Sequence, residues 1–224
     1  AALRSADGRT WDRTASFNVS PTAVVWGGDR FVAVGYQVFV ATSPDGIAWT
    51  VRDAGVRSNL VSVTWDGARF YAHAPWDTGA SARSRDGVTW EAFDTTVLGD
   101  RQLAWTGAAL AAAGLALATS ADGDHWDEGF LDVSGPSYVD VVRVGDSLLA
   151  VGGTRGTFWG APWFDVALAT SSNGRVWRVH ACAETVPSEL RHAVVGPGGW
   201  VAVGAGTTIL HGTGGSGSGL VPTA

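Results

Sequence analysis

The sequence predicts an all-β fold, a five-bladed β-propeller of four-stranded antiparallel blades whose last blade is closed by the N-terminal strand. The first observation behind this prediction is a seven-residue pattern, Ser-x-Asp/Asn-Gly-x-x-Trp, that occurs five times. The second is the spacing of 38, 41, 36 and 51 residues between the tryptophans of that pattern. The third is composition, because 31 glycines and 12 tryptophans against 16% charged residues favour short strands joined by glycine turns.

The repeated pattern has the chemistry of a tight turn between two strands. Its serine hydroxyl and its aspartate carboxylate can accept hydrogen bonds from turn amides, its glycine can take a positive φ, and its tryptophan opens the next strand. We call these segments marker hairpins and expect their aspartates to be structural rather than catalytic. The marker hairpins lie at residues 5–11, 43–49, 84–90, 120–126 and 171–177.

Each repeat contains a first strand, a glycine turn, a second strand, a third strand, the marker hairpin and a fourth strand. The first strands are expected to end at Trp26, Trp65, Trp105, Arg143 and Val195, with a second strand starting five residues later each time. The same register predicts strands in the alanine-rich stretch 103–120, despite the helix propensity of alanine.

The repeats divide residues 1–212 into five blades. The expected blade units are 15–53, 54–94, 95–130, 131–189 and a last unit that joins 190–212 to the N-terminal residues 1–14. In that arrangement Trp11 fills a socket in the last blade, and no sheet edge stays open. The Gly/Ser-rich residues 213–224 are predicted to be a flexible tail or tag.

Charge and composition exclude several classes of function. A net charge of −6 and a pI near 5.2 disfavour binding to nucleic acids or anionic membranes. All 15 basic residues are arginine, which excludes lysine-based Schiff-base chemistry. Cys182 is the single cysteine, and no metal-binding spacing is present, so we expect no disulfide, metal or cofactor. We also expect a monomer without membrane insertion.

The marker hairpin resembles the Asp-box of bacterial, BNR-like β-propeller repeats of the sialidase type, although it is one residue shorter than the usual sialidase form. The resemblance covers residues 1 to about 212. It implies the fold and not an activity, because Asp-box proteins include glycosidases, assembly scaffolds, sorting-receptor ectodomains and lectin-like modules. Sialidase activity is not expected, since the sequence has no Arg-Ile-Pro motif. We expect an extracellular or periplasmic location, with the cytoplasm left open.

One position in each first strand is expected to face the channel of the propeller. Counting three residues back from the strand end gives Ala23, Ser62, Gln102, Asp140 and His192. Asp140 and His192 are therefore candidate acid/base partners and candidate ligand-binding residues, with Arg101 beside this ring. The alternative interpretation is that these polar groups satisfy one another in a structural network.

Two loops between second and third strands carry aromatic residues that the fold does not need. The loop of the second unit contains Trp76 and Asp77, and the longer loop 154–165 of the fourth unit contains Arg155, Trp159 and Trp163. Tryptophan can stack on a sugar face, while aspartate and arginine supply directional hydrogen bonds. The alternative is that the aromatic rings only pack the loop onto the blade.

These features favour a ligand-binding propeller that recognises a carbohydrate or another small polar ligand at the channel mouth, in the manner of a lectin. The first alternative is an enzyme, a glycan or small-metabolite hydrolase or lyase that uses Asp140 and His192. The second alternative is a protein-interaction scaffold.

Overall fold

The computed structural model describes residues 1–57, 59–74, 81–93, 102–114, 116–131, 137–158, 161–180, 189–205 and 208–212, with the backbone alone for 154–158 and 161–165. Every regular element in these residues is a β-strand. The chain divides into two compact units, an N-terminal unit of Ala1–Gly99 and a C-terminal unit of Asp100–Ala224.

The described residues of the N-terminal unit form ten strands in three sheets. A two-stranded sheet is formed by β1 (Ala2–Arg4) and β2 (Asp12–Ala15). Blade one is formed in sequential order by β3 (Pro21–Gly27), β4 (Arg30–Gly35), β5 (Phe39–Ser43) and β6 (Thr50–Arg52). Blade two is formed in the same way by β7 (Ser62–Trp65), β8 (Phe70–His73), β9 (Ser81–Ser84) and β10 (Glu91–Phe93).

In the C-terminal unit, the part of the chain that the structure describes forms twelve strands in three further sheets. Blade three consists of β11 (Gln102–Trp105), β12 (Leu110–Ala113), β13 (Leu117–Ser120) and β14 (Asp127–Glu128). The short strand β15 (Phe130–Leu131) pairs in parallel with the outer strand of blade four, which consists of β16 (Ser137–Val144), β17 (Ser147–Phe158), β18 (Ala161–Ser171) and β19 (Val176–His180). Blade five contains β20 (Leu190–Gly196), β21 (Gly199–Gly204) and β22 (Ile209–Gly212).

The fold is a five-bladed β-propeller, and the predicted fold class is confirmed. The first strands of blades two and three end at Trp65 and Trp105 as expected, and the other three end one residue later than expected. The alanine-rich stretch forms β11, β12 and β13, so tertiary pairing outweighs helix propensity there.

The N-terminal residues depart from the sequence-based expectation at Trp11. Its side chain is 58% exposed, so the prediction that Trp11 fills a socket is wrong. The β1–β2 hairpin is fixed instead by polar contact, because the Thr14 hydroxyl donates a hydrogen bond of 2.8 Å to the carbonyl of Gly46. In the described residues β1 and β2 form one sheet and β20–β22 another, so completion of the last blade by the N-terminal strand stays a prediction.

The segment 154–165 was expected to be a loop and is a continuation of two strands. The β17–β18 ladder runs without interruption to the pair formed by Phe158 and Ala161. Residues of high β-propensity explain the extension, since Thr154, Thr157 and Phe164 favour a pleated strand. The result is a β-hairpin that continues past Ser137, where the partner strand β16 begins.

The middle strands of the blades are buried on both faces. In the N-terminal unit, Val32, Val34 and Val40 of blade one pack with Leu60 and Phe70. In the C-terminal unit, two clusters are built around Trp177 and Trp200, which are 0% and 1% exposed. This burial of apolar surface is the main stabilising contribution to such sheets.

The glycine of the Ala-Val-Gly step in the second strand has a steric role in three blades. A Cβ atom at Gly152 would collide with the backbone carbonyl of Ser137, and one at Gly204 would collide with that of Glu189. Gly35 stands in the same relation to Ser20. Glycine therefore lets the chain pass close to the second strand where it enters the first strand.

Candidate functional site

The marker hairpins are built by the same hydrogen bonds in every copy. In the copy at 43–49, the Ser43 hydroxyl oxygen accepts from the amide of Gly46 at 2.9 Å, and Asp45 Oδ1 accepts from the amides of Ile47 and Ala48 at 2.8 and 3.0 Å. The turn glycine has a φ of 75°. The aspartate is therefore held by its own turn, as the sequence analysis predicted.

Hydrogen bonds from turn amides also explain why the pKa values of the hairpin aspartates are lowered. The amides of Thr10 and Arg9 hold the pKa of Asp7 at about 2, and equivalent amides lower the pKa of Asp45. Asn173 replaces the aspartate in blade four and accepts the same two amide bonds, at 2.9 and 3.0 Å. A side-chain oxygen is thus sufficient, and a charge is not required.

The tryptophan of the hairpin closes the turn in four copies. The indole Nε1 of Trp49, Trp90, Trp126 and Trp177 donates to the carbonyl of the turn glycine at 2.8 to 3.1 Å. These segments have the geometry of structural turns.

The candidate site lies instead at the beginning of the first strands of blades four and five. Both strands have a β-bulge directly before the candidate residue, so that Asp140 is the partner of Val151 and His192 is the partner of Val203. Blade one has the same bulge before Ala23. A bulge redirects the side chain that follows it, which places these residues at equivalent positions.

Asp140 and His192 approach one another, and backbone amides anchor the carboxylate. Asp140 Oδ1 accepts from the amide of Val141 at 2.9 Å, and Oδ2 accepts from the amide of Ala193 at 3.0 Å. His192 Nδ1 is 3.8 Å from Oδ2. The Asp140 side chain is 19% exposed while that of His192 is 80% exposed, so the histidine presents its ring to solvent.

The charge of this pair favours the protonated histidine. The Asp140 carboxylate raises the pKa of His192 above its ordinary value, and burial and the Arg191 charge oppose that effect. Arg191 itself lies 3.6 Å from a carboxylate oxygen of Glu189. The arrangement therefore holds a cationic or hydrogen-bond-donating ring beside an immobilised acid.

Sequence reasoning missed Glu189, which completes this polar group. The residue directly precedes β20, and its backbone carbonyl accepts from the amide of Ala205 at 3.1 Å. The signal that could have identified it is its place one residue before the first strand, which Ser20 occupies before blade one.

For the other predicted site residues, the structure describes no contact between side chains. Trp76, Asp77, Arg101 and Trp159 lie outside the described residues. Arg155 and Trp163 belong to the extended hairpin, where the register pairs Arg155 with Phe164 and Trp163 with Gly156. That hairpin continues the blade past the start of β16, at the same end as Asp140. Their role in binding stays a prediction.

Neither a metal-binding cluster nor a membrane-spanning helix is found in the part of the chain that the structure describes. Those residues contain no group of three His, Cys, Asp or Glu side chains placed to hold a metal ion. They also contain no helix with the length and apolarity to cross a membrane.

The sheets and their order define the class of the chain, which is a β-propeller protein. No protein-family model and no curated protein matches the sequence. Among solved structures the chain is similar to YCF48 bound to a D1 peptide, with 16% identity, 91% of this chain and 83% of that chain covered, and a TM-score of 0.56.

Two further solved structures belong to proteins of different kinds. The WD40 β-propeller domain of Doa1 is 12% identical, with 89% of this chain and 67% of that chain covered and a TM-score of 0.55. The GH74 enzyme of Niastella koreensis is 13% identical, with 86% of this chain and 30% of that chain covered and a TM-score of 0.56. At these identities the similarity shows the fold, which both an enzyme and a peptide-bound protein share.

Proposed function

We propose that this chain is a ligand-binding β-propeller that recognises a small polar ligand, with carbohydrates as the ligand class, at the end of blade four where Asp140 lies. The observation that carries the proposal is the exposed His192 ring beside an acid anchored by two backbone amides. Such a fixed polar group gives direction to a hydrogen bond, as binding sites for polar ligands require.

Binding is favoured over catalysis by the contacts of Asp140. Each of its oxygens already accepts a backbone amide, so the carboxylate is held in one orientation. A glycosidase needs two carboxyl groups about 5 to 10 Å apart across the scissile bond, and Glu189 is engaged with Arg191. An acid that the backbone holds in place and an exposed imidazole ring suit recognition of hydroxyl groups better than acid/base chemistry.

The extended β17–β18 hairpin supplies the second part of the proposed site. It contains Arg155 and Trp163, and it leaves the blade at the end where Asp140 lies. Trp159 follows β17 in sequence and lies outside the described residues. Stacking of a sugar ring on tryptophan and hydrogen bonds from arginine are the interactions we assign to this hairpin. Arg101, which precedes β11 of the same unit in sequence, is proposed to donate hydrogen bonds to the ligand as Arg155 does. Trp76 and Asp77 of the N-terminal unit stay candidates from the sequence alone.

A glycan array followed by variants of the site tests this function. His192→Ala and Trp163→Ala are expected to weaken the binding of any glycan found by about tenfold each. His125→Ala is the matched control, because His125 is also exposed and also lies beside an aspartate, at 2.8 Å from Asp122, but in a marker hairpin. Binding that survives both site variants, or a loss of binding in the control, would refute the site.

A protein-interaction scaffold is the second candidate, and one observation favours it. The face of blade five that carries His192 also exposes Val194, Val203 and Ile209. Exposed apolar side chains on one sheet face are typical of surfaces that a partner covers. This candidate predicts an empty glycan array, and loss of a co-purifying protein in Ile209→Asp but not in Ile47→Asp, an exposed residue of the marker hairpin 43–49.

We also propose that the marker hairpins are Asp-box repeats of the bacterial, BNR-like type, and that the protein works outside the cell or in the periplasm. The repeated Ser-Asp-Gly-Trp hydrogen bonds support the first proposal. Fractionation of cells that express the gene would test the second.

A further inference from the structure

A pocket of about 300 Å³ lies in the N-terminal unit beside the marker hairpin 84–90. Three arginines, Arg69, Arg83 and Arg85, line it together with Trp90. Arg69 precedes β8, Arg83 lies in β9, and Arg85 lies in the turn, so three separate segments of blade two bring their cations to one cavity.

The turn does not require arginine at position 85. The marker hairpins of blades one, three and four form with the same hydrogen bonds but have Pro44, Ala121 and Ser172 where blade two has Arg85. The N-terminal hairpin also forms, with Ala6 at that position. At the position of Arg83 those three blades have threonine, but the N-terminal hairpin has Arg4. Arg85 is therefore the arginine that the repeated turn does not account for.

The charges in the pocket are only partly neutralised. Arg83 Nε lies 2.8 Å from a carboxylate oxygen of Glu91, and its guanidinium lies over the ring of Phe93 at 6.0 Å. Asp86 and Glu91 also line the pocket, and Arg69 is hydrogen-bonded to the Tyr71 hydroxyl. Among the described residues no carboxylate forms an ion pair with Arg69 or Arg85. Arg85 therefore lines the pocket without an acidic partner, and Arg69 keeps N–H donors that Tyr71 does not use.

Asp86, the acid next to Arg85 in sequence, is held by hydrogen bonds of the turn. Asp86 Oδ1 accepts from the amides of Val88 and Thr89 at 2.8 and 2.7 Å. Burial acts to raise the pKa of Asp86, but these amides and the Ser84 hydroxyl outweigh it and lower the pKa. The carboxylate is thus fixed by the hairpin and is not free to swing onto Arg85.

We propose that this pocket binds an oxyanion, the carboxylate or phosphoryl group of a small ligand, through Arg69 and Arg85, with an apolar part of the ligand against Trp90. The planar guanidinium fork matches the oxygens of both groups and forms charge-assisted hydrogen bonds to them. The site is separate from the one proposed around Asp140, and it does not depend on that proposal.

Titration of the whole protein with inorganic phosphate, phenyl phosphate and benzoate at constant ionic strength tests the inference. The readout is the NMR signal of the Trp90 indole N–H, which donates to Gly87 at 3.1 Å. We expect a saturable shift of this signal and none of Trp49, the corresponding ring of blade one. Binding of benzoate but of neither phosphate identifies a carboxylate ligand, and binding of both phosphates but not of benzoate identifies a phosphoryl ligand. Tighter binding of phenyl phosphate than of inorganic phosphate supports the contact with Trp90.

Variants separate the site from a general charge effect. Arg85 is exposed, so Arg85→Gln should fold normally, which thermal unfolding checks, and should weaken binding by about tenfold. Arg85→Lys is expected to keep the charge but lose the fork, with an intermediate effect. Arg175→Gln, an exposed arginine of the marker hairpin 171–177, is the control and should bind as the parent does. The absence of saturable binding by all three probes up to about 10 mM, or unchanged binding in Arg85→Gln, would overturn the proposal.

Discussion

The marker hairpins make a quantitative prediction, because the same hydrogen bond occurs in a buried copy and in an exposed one. The Ser120 hydroxyl oxygen accepts from the amide of Gly123 at 2.8 Å, and Ser120 is 3% exposed. The Ser5 hydroxyl oxygen accepts from the amide of Gly8 at the same distance, but that hydrogen bond is exposed to solvent. Substituting either serine by alanine removes an acceptor that lies at the same distance from its glycine amide.

The two substitutions should differ in their effect on stability. In Ser120→Ala the amide of Gly123 stays buried without its acceptor, which costs about 1–3 kcal/mol of the free energy of unfolding. In Ser5→Ala the amide of Gly8 is rehydrated, and we expect a cost of about 0.5 kcal/mol or less. With a urea dependence of about 3 kcal/mol per molar, a loss of 2 kcal/mol lowers the urea midpoint by about 0.7 M.

Urea unfolding monitored by tryptophan fluorescence measures both variants against the parent. The expected result is a clear decrease in midpoint for Ser120→Ala and almost none for Ser5→Ala, with unchanged slopes. Equal decreases would show that burial does not set the value of this hydrogen bond, and a larger decrease in Ser5→Ala would refute the reasoning.

Three further predictions follow from the same structure. Trp177→Ala should lose about 3–5 kcal/mol of stability because the ring is fully buried, whereas Trp11→Ala, at an exposed ring, should change the urea midpoint little. The pair of Asp140 and His192 should stabilise the fold at pH values below the ordinary histidine pKa, and this stabilisation should be lost as pH rises through the raised pKa of His192. In Asp140→Asn the pKa of His192 should return towards its ordinary value, which NMR titration measures. Deleting residues 1–14 should lower the urea midpoint and the cooperativity of unfolding if they complete the last blade, and a truncated protein as stable and monomeric as the parent would refute that arrangement.

Strand positions could be predicted from the sequence because each repeat carries two fixed points. The turn glycine and the tryptophan that follows it set the register of every blade, and Trp65 and Trp105 end their strands where that register places them. The hairpin of 154–165 was misjudged because Gly156 and Pro162 are loop signals in a sequence, while the continued ladder depends on pairing between the two strands.

Only part of the candidate site could be predicted from the sequence. The register identified Asp140 and His192 as equivalent positions, but it could not show that backbone amides from two strands anchor the carboxylate, since that requires the spacing between blades four and five. The exposure of Trp11 was also beyond the sequence, because the same seven-residue pattern buries its ring in blade four and leaves it in solvent at the N-terminus.

Asn173 has a consequence for the behaviour of the protein in acid. In the marker hairpins that contain aspartate, the amides that the carboxylate accepts favour its ionised form and lower the pKa of Asp7, Asp45 and Asp86, so protonation weakens those turns as pH falls. The turn of blade four makes the same bonds through an amide oxygen that does not titrate in this range. Acid should therefore loosen the hairpins of the other blades first, and hydrogen exchange should find blade four as the last sheet to lose its protection.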